Sequence, residues 1–468
     1  MASSVITRYP PSPTGHPHVG GVRTALFNYL YAKKHDGKII LRFEDTDKTR
    51  SKKEFEESNF EVMQWLGLSF DALYKQSERT LIYKKYLERM IENGFAYVSD
   101  ESAIVSEDGE EDSGEAATGE RRESVIRFKN PNKVVTFTDV VHGDISVDTT
   151  ELKDFVIAKS LEEPLYHLAV VVDDHEMGIT HVIRGVDGIY NTPRQILIQE
   201  AIGATRPIYC HIPFVLGEDK AKLSKRNGSL PVTVYRDMGF LPEALINYLA
   251  LLGWHPGDDQ EIFTLPELIE VFDLEKVQKS GAVFDMEKLR WVNREHIKKV
   301  ADDQFKKVAL AWLPSAITEA SQFSEERFLR FLPDLRERIS TYGDIKTQAE
   351  EGDFSYIFDK PVFEIAQILP PARKGVVPDS KKIEKHLLWL GGKLYDLAEE
   401  QWTKDGLKEA LWDYATKEGR GDVLWPLRVA LSGKDKSPDP FTLASLLGKT
   451  ETIERVKSAC ERIHKLNE

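Results

Sequence analysis

The stretch from Val5 to Phe43 constrains the fold more than any other part of the chain. Val5 to Tyr9 suits a strand, and Pro10 to Gly15 cannot continue it. From Gly21 to His35 the residues Val22, Ala25, Leu26, Tyr29 and Leu30 recur at helical spacing, and Gly37 ends the run. Lys38 to Phe43 reads as a second strand. Strand, loop, helix and strand in that order imply a right-handed βαβ unit and a parallel sheet, hence an α/β class.

Later segments change character. Val125 to Val147 alternates β-branched residues and predicts strands of an inserted α+β subdomain. His167 to Val172 is expected as a buried strand, and Ile179 to Ile183 as another. Beyond about residue 240 strand signals become scarce. Ser324 fits a helix N-cap, with Glu325 and Glu326 in the first turn and an apolar face of Phe328, Phe331, Leu332 and Leu335. Further helices are expected at Lys381–Glu400, Lys404–Ala415 and Phe441–Leu466, and Pro370, Pro371 and Pro378 mark a hinge between two helical domains.

The net charge of −14 looks wrong for a chain that handles RNA, but it is unevenly placed. Asp100 to Glu123 alone contributes −8, and its Gly, Ser and Ala content predicts an exposed loop. Residues 1–53 carry ten Lys and Arg against four Asp and Glu, a sign that suits anionic ligands. Two distant cysteines, Cys210 and Cys460, rule out a disulfide framework and fit a reducing cytoplasm. No apolar run reaches the roughly 18 residues of a membrane helix, and Met1 to Pro10 is no signal peptide.

Two short runs carry chemistry. Pro11-Ser12-Pro13-Thr14-Gly15-His16-Pro17-His18-Val19-Gly20-Gly21 ends where a helix begins. A helix N-terminus offers unpaired N–H groups to phosphate, the two glycines let a nucleotide approach the backbone, and His18 can donate to a phosphate oxygen. Lys222-Leu223-Ser224-Lys225-Arg226, followed by Asn227-Gly228, places lysines around a serine in a loop suited to a triphosphate. Taken singly, the first is an ordinary turn and the second a solvated loop.

Together they resemble the His-Ile-Gly-His and Lys-Met-Ser-Lys-Ser motifs of class I aminoacyl-tRNA synthetases, in the form found in bacterial glutamyl-tRNA synthetases. Gly21 stands where the second histidine would be, a substitution usual in that family. Arg42-Phe43-Glu44-Asp45-Thr46-Asp47, Val172-Asp173-Asp174-His175, Val182-Ile183-Arg184-Gly185, Asn191-Thr192-Pro193-Arg194-Gln195, Leu289-Arg290-Trp291, Pro426-Leu427-Arg428 and Leu446-Leu447-Gly448-Lys449 look like that family in the same order.

The resemblance implies a Rossmann-like parallel sheet with an inserted acceptor-end subdomain, followed by all-α domains. It divides the chain into a first catalytic half (1–83), the insertion (84–165, with the acidic loop 100–123), a second catalytic half (166–210), a helical stem-contact domain (211–300) and two anticodon-binding domains (301–375 and 376–468). His18, Lys222 and Lys225 become the catalytic candidates. Thr14, His18, Gly20, Gly21 and Lys222, Leu223, Ser224, Lys225 and Arg226 would hold ATP, which enters with Mg2+. Arg8, Ser12, Glu44, Tyr166 and Arg184 would hold L-glutamate, Glu44 taking the amino group and Arg8 the side-chain carboxylate. Arg50, Arg194 and Arg428 are candidates for tRNA contact. The implied protein is a cytoplasmic monomer charging tRNA(Glu), with tRNA(Gln) open as a second acceptor.

The chain departs from the family in two places. Val186 and Gly188 replace Glu and His of many relatives, and Tyr97 to Ser124 has no cysteine, so no structural zinc is expected. Two other readings compete. Glutaminyl-tRNA synthetases attach two β-barrels where residues 300–468 read as helices, and an inactive RNA-binding paralogue would not need His18, Lys222, Lys225, Glu44 and Arg184.

Overall fold

The computed structural model describes residues 4–100, 124–223, 230–372 and 378–468, so the acidic stretch lies outside the described residues. The chain forms two compact units, Met1–His296 and Ile297–Glu468.

The first unit opens as expected, with β1 (Ile6–Tyr9), α1 (Val19–Lys34) and β2 (Lys38–Phe43). β1 and β2 pair in parallel, Arg8 opposite Ile40. Helix α2 (Lys53–Trp65) leads to β3 (Ala72–Lys75), which pairs in parallel on the far side of β2. Helix α1 starts one residue after His18, earlier than the periodicity places it, because the His18 side chain caps it. Its buried residues occupy all sides, Val22, Ala25, Leu26, Phe27, Tyr29 and Leu30 among them, so the helix is wrapped by the core rather than laid on its surface.

Helix α3 (Thr80–Glu92) leads to an insertion of six strands: β4 (Ala96–Asp100), β5 (Ser124–Phe128), β6 (Val134–Asp139), β7 (Gly143–Asp148), β8 (Phe155–Ser160) and β9 (Glu163–Pro164). Strands β4, β5, β8 and β9 make an antiparallel sheet, while the β6–β7 hairpin lies at the edge of a separate sheet.

The expected strand at His167 to Val172 is instead a helix, α4 (Tyr166–Glu176). The run Leu168-Ala169-Val170-Val171-Val172 is buried on every side, and a short apolar run fits a buried helix as well as a strand. Its β-branched residues pull toward β, but tertiary burial decides. The next strand is β10 (His181–Gly185), two residues later than expected. Helix α5 (Thr192–Ile202) then leads to β11 (Ile208–Ile212), parallel to β10 with Arg184 opposite His211.

β1 and β10 lie side by side. Thr180 N–H donates to the Ile6 carbonyl at 2.9 Å, and the Ile6 N–H donates to Thr180 Oγ1 at 2.8 Å. From this seam β2 and β3 extend one way and β11 the other. Such a reversal opens a crevice at the strand ends, the place where open α/β sheets bind ligands.

The second unit is helical. Ser324 caps Glu325–Arg338 by accepting from the Arg327 N–H at 3.3 Å. Helices at Ser380–Asp396, Lys404–Glu418 and Pro440–Asn467 match expectation, the last with a non-helical Gly448 at φ 77°. A helix at Arg420–Ser432 has no counterpart in the sequence reading, because Gly419, Gly421 and Pro426 mask its period.

Arg455 pins this unit. It is 2% exposed, and its guanidinium donates to the carbonyls of Tyr356, Leu431 and Asp359 and to Glu451. Arg455→Met strands three carbonyls and a carboxylate and should weaken the local fold by about 3 kcal/mol. Amide hydrogen exchange along Pro440–Asn467 in the full-length protein checks this, and unchanged protection would contradict it.

Candidate active site

The β1–β10 seam holds a buried cluster of charge. Arg8, on β1, is 1% exposed, and its Nε donates to both Asp174 oxygens at 3.3 and 3.4 Å. Arg42, on β2, donates from Nη1 to Asp174 Oδ1 at 2.7 Å and from Nη2 to Glu44 Oε1 at 3.1 Å. Asp173, the neighbour on α4, receives Gln76, Arg79 and Tyr83 at 2.6–3.0 Å. Both aspartates sit toward the C-terminal end of α4, where the helix dipole disfavours negative charge, and each is matched there by arginines.

The electrostatics follow. Burial alone would raise Asp174, but Arg8 and Arg42 outweigh it and hold the carboxyl below its ordinary value. Burial likewise opposes the charge on Arg42, yet Asp174, Glu44 and Asp173 together raise it. Glu44 goes the other way. Burial pushes it up to about 7, against the pull of Arg42 and Arg8.

Arg8 is only partly used by these contacts. Besides Nε, one Nη1 hydrogen reaches the Ile183 carbonyl at 3.5 Å. Among the described residues the other Nη1 hydrogen and both on Nη2 have no protein partner, so a planar fork remains for an incoming carboxylate. Half-buried Tyr166, at the start of α4, lies within electrostatic reach of Glu44, Arg184 and Arg8, and burial raises its hydroxyl. Ser12 is exposed on the loop after β1.

Arg184, on β10, is enclosed differently. Nε donates to His211 Nε2 at 3.0 Å, Nη1 to Gln195 Oε1 at 2.8 Å, and Nη2 to the Gly188 carbonyl at 3.0 Å and Thr192 Oγ1 at 2.7 Å. Four of its five N–H groups are engaged, leaving one on Nη1. As placed, Arg184 has one donor left to offer a ligand.

The nucleotide candidates flank this cluster in sequence. His18 Nδ1 accepts from the Gly21 N–H at 3.3 Å and its backbone bridges to Pro231. A Cβ at Gly20 would stand 3.3 Å from the His18 ring, so the glycine gives the imidazole room. Thr14 is exposed. Lys222 Nζ meets Asp187 Oδ2 at 3.0 Å and lies 4.2 Å from the Phe214 ring centroid, and Leu223 N–H donates to the Val215 carbonyl. Ser224, Lys225 and Arg226 lie outside the described residues.

The three tRNA candidates are scattered. Exposed Arg50 pairs with Asp47 at 2.6 Å, and Arg194 lies over the Phe155 ring. Arg428, in the second unit, lines a cavity of about 460 Å³ with Arg338, Gln348 and Lys436. Among the described residues no group of three or more His, Cys, Asp or Glu is placed to hold a metal ion.

Sequence reasoning left Asp174, Asp139, His211, Thr192 and Gln195 without a role. Adjacent aspartates directly after an apolar run were the available signal, since buried acids need cations. Asp139 and His211 are 72 residues apart and carry no such signal.

A parallel sheet with a carboxylate-suited arginine beside a glycine-opened helix start describes the catalytic domain of a class I synthetase. A family model for class I tRNA synthetases (E and Q), catalytic domain, matches residues 4–107 and 104–291, and one for an anticodon binding domain matches residues 293–460. The chain is 40% identical over 473 residues to the glutamate–tRNA ligase of Syntrophobacter fumaroxidans, covering 97% of each, and 37% identical to that of Thermodesulfovibrio yellowstonii, covering 97% of this chain and 98% of the other. A crystal structure of a glutamate tRNA ligase from Elizabethkingia meningosepticum in complex with its amino acid aligns with TM-score 0.80 at 31% identity, over 98% of this chain and 100% of that one. The chain belongs to the glutamate–tRNA ligase family of class I aminoacyl-tRNA synthetases.

Glu44 gives this site a pH signature. Only an ionised carboxylate could pair with a substrate ammonium, and Glu44 ionises as pH rises through about 7. The kcat/KM for the amino acid should climb about tenfold per pH unit below that value and level above it. Glu44→Gln should flatten the rise; a profile that keeps its slope in the variant would reject the assignment.

Proposed function

We propose that this chain activates L-glutamate with MgATP and transfers it to the 3′-terminal adenosine of tRNA(Glu). The observation that carries the reading is Arg8, buried on β1 with an open fork, beside Glu44 and Tyr166. Arg8 takes the side-chain carboxylate, Glu44 the ammonium, and Arg184 one carboxylate oxygen, while Tyr166 and Ser12 complete the hydrogen bonds. Glutamine fills the same space without the charge, leaving a desolvated guanidinium unmatched, which costs several kcal/mol.

In the first step an α-carboxylate oxygen of glutamate attacks the α-phosphorus of MgATP. The bond to the bridging oxygen breaks and pyrophosphate leaves with the electron pair, giving glutamyl-adenylate. In the second step the 2′-hydroxyl of the terminal adenosine attacks the acyl carbon, AMP leaves, and the hydroxyl proton is lost. His18, Thr14, Gly20 and Gly21 at the start of α1, with Lys222, Leu223, Ser224, Lys225 and Arg226, hold the phosphates, and Mg2+ enters as part of the substrate. Positioning and charge stabilisation carry the chemistry, with no side-chain nucleophile.

The inserted strands β4–β9 are assigned to the acceptor end, with Arg50 and Arg194 on its path. The helical unit is assigned to the anticodon, with Arg428 in the cavity described above. The match to an anticodon binding domain supports that division. Two free thiols, Cys210 and Cys460, fit a reducing cytoplasm.

Pyrophosphate exchange, run with tRNA present, tests the reading. Exchange should follow glutamate and not glutamine, and charging of purified tRNA(Glu) and tRNA(Gln) decides the acceptor. Arg8→Gln should lower kcat/KM for glutamate by about 10³-fold while KM for ATP stays within about twofold. An equal loss in kcat/KM for ATP would remove Arg8 from specificity.

A further inference from the structure

Arg184 stands at the end of a buried relay that none of its established neighbours in sequence explains. Asp139, the last residue of β6, is 1% exposed and accepts four hydrogen bonds: from the Val141 and His142 N–H groups at 3.0 and 2.9 Å, and from His211 N–H and Nδ1 at 3.0 and 2.7 Å. An ionised carboxylate is acceptor-only, so His211 Nδ1 must carry the proton. His211 Nε2 is then a lone pair, and Arg184 Nε donates to it at 3.0 Å. His211 is fully buried and neutral, its protonation opposed first by burial and then by Arg184, while Asp139 stays ionised because its hydrogen bonds outweigh its own burial.

A second, independent feature closes the cage. A Cβ at Gly188 would stand 2.4 Å from Arg184 Nε and 2.7 Å from Cδ. The guanidinium occupies the space that any side chain at 188 would claim. Thr192 Oγ1 accepts from Arg184 Nη2 and donates to the Gly188 carbonyl at 2.9 Å, locking the loop after β10 to the same group.

We propose that Asp139 and His211 are positioning residues for amino-acid binding. They fix the histidine tautomer whose Nε2 accepts from Arg184 and, with the side-chain-free Gly188, hold the guanidinium in one orientation with a single Nη1 hydrogen presented to a substrate carboxylate. The inference rests on the reading of Arg184 as a carboxylate anchor. It accounts for a histidine, an aspartate and a glycine that touch no substrate group in that reading. A lysine cannot replace Arg184 here, because its compact ammonium cannot engage Nε2, Gln195 and Thr192 in one plane.

The two amide replacements of His211 separate the halves of the relay. In His211→Asn the amide lies near the Nδ1 position, so it still donates to Asp139 but offers Arg184 nothing. In His211→Gln the amide oxygen lies near the Nε2 position and can accept from Arg184. Pyrophosphate exchange by the full chain with tRNA present should show KM for glutamate raised about tenfold in His211→Asn, the loss of one charge-assisted hydrogen bond. KM for ATP should stay within about twofold, and His211→Gln should recover most of the glutamate KM. Gly188→Ala should copy His211→Asn by displacing Arg184, which covers the case of a histidine variant that does not fold. Arg184→Lys is the control on the underlying reading. If it raises KM for glutamate while His211→Asn and Gly188→Ala do not, the relay is overturned and the anchor stands. If Arg184→Lys leaves that KM unchanged, the anchor reading falls and the relay with it. Equal rises in both KM values for His211→Asn would mean a general structural role and would also overturn the proposal.

Discussion

The sharing of one aspartate between two arginines governs the catalytic unit. Asp174 on α4 faces Arg8 of β1 and Arg42 of β2, all three almost fully buried. Removing three charges from water is costly, and the same volume filled with apolar side chains would serve stability at least as well. What an ionic cluster adds is direction. One carboxylate between two guanidiniums fixes how α4 meets β1 and β2, while Arg42 also serves Glu44 and Asp173. Among the described residues the remaining three Nη hydrogens of Arg8 are the unengaged end of the network. The same geometry holds Glu44 in a dry place with one arginine contact, which is why burial wins there and its carboxyl titrates near neutrality.

The two arginines of the seam consequently differ in kind, although each lies on a central strand near its C-terminal end. Arg8 spends its Nε on an aspartate and keeps its fork. Arg184 spends its fork on protein oxygens and keeps one hydrogen. A forked donor matches both oxygens of a freely placed carboxylate, whereas a single donor selects one oxygen at one angle. A dicarboxylic amino acid with one end gripped broadly and the other directed narrowly is held in a single pose. That is what attack on phosphorus requires, since the reacting oxygen must be presented in line.

Much of this architecture could be read in the residues, and the failures have identifiable causes. The β1–α1–β2 unit was readable because period and breakers agree, and the helical second unit because its long helices carry clean apolar stripes. Helix α4 was misread because a fully buried helix has no period to show. The helix at Arg420–Ser432 was missed because propensity opposes it at Gly421 and Pro426, and packing of Val423, Leu427 and Leu431 overrides both. Arg8, Glu44, Tyr166 and Arg184 are candidates through the family resemblance, and in the structure Tyr166 lies within electrostatic reach of the other three. Asp139 and His211 were invisible because only the pairing of β6 with β11 unites them. The Nδ1 of His18 accepts in capping α1, so the ring hydrogen sits on Nε2, a tautomer that shows only once the helix start is known.

The nucleotide side of the site obeys a different rule from the amino-acid side. Lys222 is paired with Asp187, but both side chains are more than half exposed, and such a pair contributes roughly 1 kcal/mol or less. A triphosphate carries several times the charge of one carboxylate and can take Lys222 from Asp187 at little cost. The buried Asp174 cluster could not be exchanged in this way without breaking contacts of about 3–5 kcal/mol each. Under the proposed function, selectivity is built from interactions too costly to rearrange, and capture of the leaving group from one weak enough to release. An enzyme that must refuse glutamine on every cycle, yet bind and let go of pyrophosphate, needs both kinds in one cleft.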